Sequence, residues 1–129
     1  MGVLDARAMG GRVAVVSSTS EKESDARLLG AELFIHSKTS APADLLTRWD
    51  GGANIILSTA TSVESANAAF PGLAPNGTLV LLGVGPGDVS LNPMALVMGR
   101  RRVMGSPAGS RKDLRDAHAF AASMECGLV

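Results

Sequence analysis

Apolar residues are concentrated in five short runs along the 129-residue chain. Most of these runs are continuously apolar instead of alternating with polar residues, which is typical of strands buried on both faces of a parallel sheet. The runs recur at regular spacing, and the segments between them are long enough to hold helices. The predicted strands are residues 12–17, 33–36, 54–58, 78–83 and 102–105.

Helical patterns with their own start signals fill the segments between the strands. Residues 20–23 and 61–64 fit capping boxes, and residues 110–113 look like a further helix cap. Pro42 and Pro93 stand where the first turn of a helix tolerates proline. Strands that alternate with helices imply βαβ units, so we predict an α/β fold with a parallel sheet. Three of the predicted helices cover residues 20–29, 61–70 and 110–124.

The beginning of the chain is unusual for such a fold. Residues 3–9 read as a helix that ends at glycine, and no strand precedes it. Because domains of this class normally begin with a strand, we expect residues 1–129 to be a single but partial domain, cut within its first βα unit. The first strand of a doubly wound sheet lies in the middle, so the strands at Val13 and Ile55 would lack their common neighbour.

Composition and charge exclude several classes of protein. Twelve basic and twelve acidic side chains balance, whereas proteins that bind nucleic acids or anionic membranes usually carry a basic excess. No apolar run approaches the ~20 residues that span a bilayer, and the start does not resemble a signal peptide. The lone Cys126 can form neither an intramolecular disulfide nor a thiolate zinc site, which favours a reducing, cytoplasmic location.

Small and hydroxyl-bearing residues follow four of the five predicted strands, at residues 17–19, 58–61, 83–85 and 106–109. In open parallel sheets, ligands bind outside the carboxyl ends of the strands. We therefore expect a groove there in which the backbone approaches a ligand closely. The alternative is that these residues are ordinary turn formers.

The end of the first predicted strand carries the sharpest signal. In dinucleotide-binding folds, an acidic residue at this place accepts the ribose 2′-hydroxyl of NAD, and a basic group accommodates the 2′-phosphate of NADP. Here Ser17, Ser18 and Thr19 follow the strand without an acidic residue, and Lys22 lies in the next turn. This pattern favours a phosphate site, with a capping box and a solvated lysine as the alternative.

Residues that could perform catalysis or bind a metal are scattered. His36 and His118 have no second ligand at metal-binding spacing, so we interpret both as structural or exposed. The glycines at 83–87 do not complete a G-x-G-x-x-G motif, because Asp88 occupies the third glycine position. We predict no catalytic residue and no metal ligand in this chain.

The segments at 12–22, 29–32, 54–59, 75–83 and 105–114, taken in order, resemble the medium-chain, zinc-type alcohol dehydrogenases. Within that family, the segments resemble the NADP-dependent cinnamyl alcohol dehydrogenase-like group. The resemblance implies a Rossmann-type doubly wound parallel sheet, here lacking the first strand and the glycine-rich pyrophosphate loop. It also implies that zinc and the alcohol or aldehyde substrate need a separate catalytic domain, which has no counterpart in this sequence.

The same resemblance implies specific cofactor contacts. The family's 2′-phosphate site falls on Ser17, Ser18, Thr19 and Lys22, and a homodimer through the last strand is implied by analogy. The expected function is the NADP(H)-holding part of an alcohol or aldehyde oxidoreductase. A non-enzymatic nucleotide-binding or interaction module, or a non-functional fragment, is the alternative. Further implied contacts are Thr59, Ala60, Gly83, Val84, Ser106 and Ala108.

Overall fold

The computed structural model of the chain describes residues 2–107 and 109–123. Strands and helices alternate throughout this part, and every strand pair is parallel, which confirms the predicted α/β class. Ala108, Met124 and Cys126 lie outside the described residues. The elements are α1 (Gly2–Ala8), β1 (Ala14–Ser17), α2 (Glu23–Leu28), β2 (Leu33–His36), α3 (Pro42–Asp50), β3 (Ala53–Ser58), α4 (Val63–Ala69), a 3₁₀ turn (Phe70–Gly72), β4 (Leu73–Leu81), α5 (Pro93–Gly99), β5 (Arg102–Gly105) and α6 (Arg111–Ser123).

The three predicted helix caps have different outcomes. The cap of α6 is confirmed, because the Ser110 N–H donates to Asp113 Oδ2 at 2.7 Å and the Asp113 N–H donates to Ser110 Oγ at 3.2 Å. In α4 the cap is one residue later than predicted, since Ser62 Oγ accepts from the Ser65 N–H. The box predicted at residues 20–23 is wrong: Lys22 is the N-cap of α2, and no side chain caps that helix.

The chain divides into two compact units, of which the first contains residues 2–38 and 109–123. In this unit β1 pairs with β2, in a register that places Ser17 opposite His36. The side chains buried here include Ala26, Ala31 and Ile35.

The second unit contains residues 39–107 and a three-stranded sheet in the order β3-β4-β5. Its core is formed by Ala66, Phe70, Leu73 and Leu79, all at most 3% exposed. The strand β4 begins at Leu73, earlier than the predicted 78, because residues before a register shift already pair with Ala53. The partly buried side chains around this core include Ile56, Leu81, Leu91, Ala95, Leu96 and Val103.

Arg101 ties the second unit together near the start of β5. Its guanidinium donates to the carbonyl oxygens of Leu73, at 2.8 Å, and Ala95, at 3.4 Å, and lies 6.0 Å from the centre of the Phe70 ring. Arg101 is half-buried, whereas its neighbours Arg100 and Arg102 are exposed.

In the part of the chain that the structure describes, β1 and β3 are edge strands with one side unpaired. There β1 pairs only with β2, and β3 pairs only with β4. Ile55 and Leu57 of β3 are 64% and 55% exposed, so the predicted burial of both faces is not met at this strand. No helix within the described ranges is long and apolar enough to cross a membrane.

Candidate functional site

The first group of predicted site residues lies at the carboxyl end of β1. Ser17 closes the strand and is half-buried, while Ser18, Thr19 and Lys22 are exposed. The Thr19 N–H donates to Ser17 Oγ at 3.3 Å, which forms a short turn over residues 17–19. No described residue forms an ion pair with the Lys22 ammonium, so its charge is available to an anion at this surface.

The end of β2 fixes the same turn from the neighbouring strand. The Ser17 carbonyl oxygen accepts from the Ser37 N–H at 2.9 Å and from Ser37 Oγ at 3.3 Å. The Ser18 carbonyl oxygen lies 2.9 Å from His36 Nε2, and this nitrogen must donate because a carbonyl oxygen can only accept. Sequence reasoning had treated His36 as structural or exposed. The available signal was that the two predicted strands end at Ser17 and His36, which a parallel pairing places at matching ends.

Three of the other predicted site residues line a cleft of about 170 Å³ in the second unit. This cleft lies beyond the carboxyl ends of β3 and β4, as expected for a parallel sheet. Its volume is below the ~300–1,000 Å³ of typical small-molecule pockets, so it can take only part of a large ligand. The lining residues include the predicted Ala60, Gly83 and Val84, together with Ser58, Thr61, Ser62, Val63, Ala66, Leu81, Gly85, Gly87 and Val89.

Two glycines let the loops that form this cleft touch through their backbones. A Cβ atom on Gly83 would collide with the Ala60 carbonyl oxygen, and one on Gly85 would collide with the Thr61 carbonyl oxygen. The Ser58 carbonyl oxygen also accepts from the N–H groups of Leu82 and Gly83, at 2.9 and 3.0 Å. The loop after β4 therefore needs glycine at 83 and 85 to lie against the loop after β3.

The remaining predicted contacts do not join this cleft. Thr59 is exposed next to Ala60 and is not among the lining residues. Ser106 is exposed at the end of β5, where its N–H donates to the Leu81 carbonyl oxygen at 3.0 Å. The predicted contact at Ala108 falls outside the described residues.

Side chains at the N-terminus and in the middle of α4 support the cleft, and the role of Asn67 was not predicted from the sequence. Asn67 Oδ1 accepts from the Ser90 N–H at 3.0 Å, which holds the far end of the glycine-containing loop. Ser62 Oγ donates to Glu64 Oε2 at 2.8 Å. The Glu64 backbone N–H and this hydroxyl both stabilise the charged carboxylate, so they lower the pKa of Glu64 from its ordinary value.

Metal binding has no visible basis in the described part of the chain. There, no three side chains of histidine, cysteine, aspartate or glutamate converge as metal ligands.

A family profile described as "Zinc-binding dehydrogenase" matches residues 1–123. The chain belongs to this family. An alcohol dehydrogenase of Moraxella sp. (strain TAE123) is 36% identical over 123 residues, which is 95% of this chain and 36% of that protein. A protein of Arabidopsis thaliana described as probable cinnamyl alcohol dehydrogenase 6 is 33% identical over 123 residues, which is 95% of this chain and 33% of that protein. The chain thus spans about a third of the length of these relatives and corresponds to the cofactor-binding domain of zinc-type medium-chain alcohol dehydrogenases.

Solved structures show the same fold. A putative zinc-binding dehydrogenase from Sinorhizobium meliloti 1021, bound to NADP, superposes with a TM-score of 0.78 at 22% sequence identity. The match covers 95% of this chain and 38% of that structure's chain. The Rossmann-type parallel architecture inferred from the resemblance is confirmed.

Proposed function

We propose that this chain is the cofactor-binding portion of an NADP-dependent alcohol or aldehyde oxidoreductase and holds NADP(H) for hydride transfer. The observation that carries the proposal is the end of β1, where Ser17, Ser18 and Thr19 form a turn that contains no acidic residue and Lys22 is exposed in the following turn. An acidic residue here would repel a 2′-phosphate, whereas hydroxyl donors and an ammonium group attract it. Membership of the dehydrogenase family and the NADP-bound relative support this reading.

The cleft of the second unit is proposed to receive the nicotinamide-side part of the cofactor. Its size suits one portion of a dinucleotide, and the contact of its loops leaves peptide groups of Ala60, Gly83 and Val84 at its wall. Thr59, Ser106 and Ala108 stay proposed contacts from the family resemblance alone. When bound, the nicotinamide would supply the hydride.

Substrate chemistry is proposed to lie outside these residues. The described residues do not fit a catalytic zinc, which needs three protein ligands, so no step through the metal is assigned to this chain. The two units are proposed to be parts of one partial NAD(P)-binding domain. The alcohol or aldehyde would be bound only in a longer form, and a cytoplasmic location is proposed from the single cysteine.

The test is the binding of adenosine 2′,5′-bisphosphate and of 5′-AMP to the full chain by isothermal titration calorimetry. The first ligand carries the 2′-phosphate and the second lacks it. We expect the bisphosphate to bind more tightly, and Lys22→Ala to weaken it about tenfold or more while 5′-AMP is unaffected. Lys38→Ala, which removes another exposed lysine of the same unit, is the matched control for charge.

Three results would separate the alternatives. Equal affinity for both ligands would overturn the NADP assignment and leave a nucleotide-binding module. No binding of either ligand by a folded chain would favour a non-functional fragment. Equal losses in Lys22→Ala and Lys38→Ala would show a general charge effect instead of a defined phosphate site.

A further inference from the structure

The turn at residues 17–19 is held by a side chain that no family pattern or motif in the sequence singled out. His36 Nε2 donates to the Ser18 carbonyl oxygen at 2.9 Å. His36 belongs to β2 and is half-buried, so its ring is held by the strand while it reaches across to the turn after β1. The contact joins residues 18 positions apart and therefore depends on the pairing of the two strands.

The geometry of the peptide group gives this contact a consequence for the turn. In a planar trans peptide, the carbonyl oxygen and the following N–H point in opposite directions. Because the Ser18 oxygen points at His36, the Thr19 N–H points away from it, towards Ser17 Oγ. The Ser37 N–H fixes the preceding peptide in the same way, so the Ser18 N–H also points away from β2.

These two fixed peptides determine which atoms a bound anion would meet. With both carbonyl oxygens held by β2, the N–H groups of Ser18 and Thr19 point away from β2, and the Thr19 N–H is bound by Ser17 Oγ. Ser17 Oγ accepts the Thr19 N–H, so its own proton can be donated to another partner. If the Ser18–Thr19 peptide turned over, a carbonyl oxygen would face the anion and repel it.

We propose that His36 is a positioning residue that sets the preference of this turn for a 2′-phosphate. The inference rests on the proposed function and adds to it a residue from the neighbouring strand. His36 acts through the Ser18 carbonyl and need not touch the cofactor. A nonpolar side chain at position 36 removes the donor, whereas a glutamine amide can reach about as far as the imidazole Nε2 and can still donate.

The experiment compares the wild-type chain with His36→Leu, His36→Asn and His36→Gln. Dissociation constants for adenosine 2′,5′-bisphosphate and 5′-AMP are measured by calorimetry, and their ratio is the readout. His36→Leu should lower the preference for the bisphosphate about fivefold, the equivalent of one ordinary hydrogen bond. His36→Asn, whose amide is too short, should behave like leucine, and His36→Gln should restore most of the preference.

The control is Leu33→Val, which perturbs a half-buried position of the same strand away from the turn. Its stability should fall while the affinity ratio stays at the wild-type value, because a purely structural change affects both ligands equally. An unchanged affinity ratio in His36→Leu would overturn the role of His36 while leaving the NADP assignment intact. If the leucine variant does not fold, equal ratios in His36→Asn and His36→Gln would overturn it in the same way. A wild-type chain without any preference would overturn both.

Discussion

The close contact between the two loops of the cleft gives a quantitative prediction for Gly85→Ala. The new methyl group would collide with the Thr61 carbonyl oxygen. Because a Cβ atom and a carbonyl oxygen are both fixed by the backbone, no side-chain rotation can relieve the clash. Restoring an ordinary carbon–oxygen contact of about 3.3–3.6 Å needs the two loops to separate. Overpacking of this kind costs about 1–3 kcal/mol, and we expect the upper half of that range because the backbone itself must move.

The assay is urea unfolding followed by the fluorescence of Trp49. This residue is the only tryptophan of the chain, and it lies on α3 in the same unit as the cleft. The matched control is Gly105→Ala at the end of β5, where a Cβ would meet no atom within 4 Å, so stability should change by less than about 0.5 kcal/mol. A Gly85→Ala chain as stable as Gly105→Ala would refute the argument that these loops require glycine.

Three other predictions concern the carboxylate of α4, metal content and self-association. Ser62→Ala should raise the pKa of Glu64 towards its ordinary value, as measured by NMR titration. Because the pKa of Glu64 is lowered in the folded chain, its charged form stabilises the fold above its ordinary pKa, and this contribution is lost as the pH falls through the folded value. The difference in unfolding free energy between wild type and variant should therefore shrink in acid. An unchanged pKa of Glu64 in the variant would contradict this. The purified chain should contain no stoichiometric zinc by mass spectrometry and show no alcohol dehydrogenase turnover, since its one cysteine and two histidines are scattered along the sequence and do not form the set of three protein ligands that a catalytic zinc needs. Bound zinc, or turnover above that of a mock purification, would count against this. Association through the edge strand β5 should appear in analytical ultracentrifugation and weaken in Met104→Lys, whose wild-type side chain is 54% exposed; a strict monomer at high concentration would exclude it.

The strands and the cap of α6 could be predicted because each is recognisable from residues that are close together in the sequence. Continuous apolar runs identified all five strands, and the hydroxyl groups of Ser17 to Thr19 identified a candidate site as soon as the strand before them was recognised. The cap of α6 was also predictable, since Ser110 and Asp113 form a reciprocal pair within one turn. These features depend on residues close together in the sequence.

The features that the sequence did not reveal depend on contacts between distant segments. His36 could be linked to Ser18 only through the register of β1 with β2. The burial of Arg101 depends on the carbonyl oxygen of Leu73, 28 positions away. The need for glycine at 85 becomes visible only when the loop after β3 is placed against the loop after β4. Each of these is set by tertiary packing, which local patterns do not encode.

The most direct test of the central claim is a titration of the intact cofactors into the wild-type chain. NADPH and NADH differ only by the 2′-phosphate that Ser17, Ser18, Thr19 and Lys22 are proposed to hold. We predict that NADPH binds at least about tenfold more tightly in calorimetry, because charge-assisted contacts to that phosphate add to those that the two cofactors share. Equal affinity for NADPH and NADH, or tighter binding of NADH, would contradict the account.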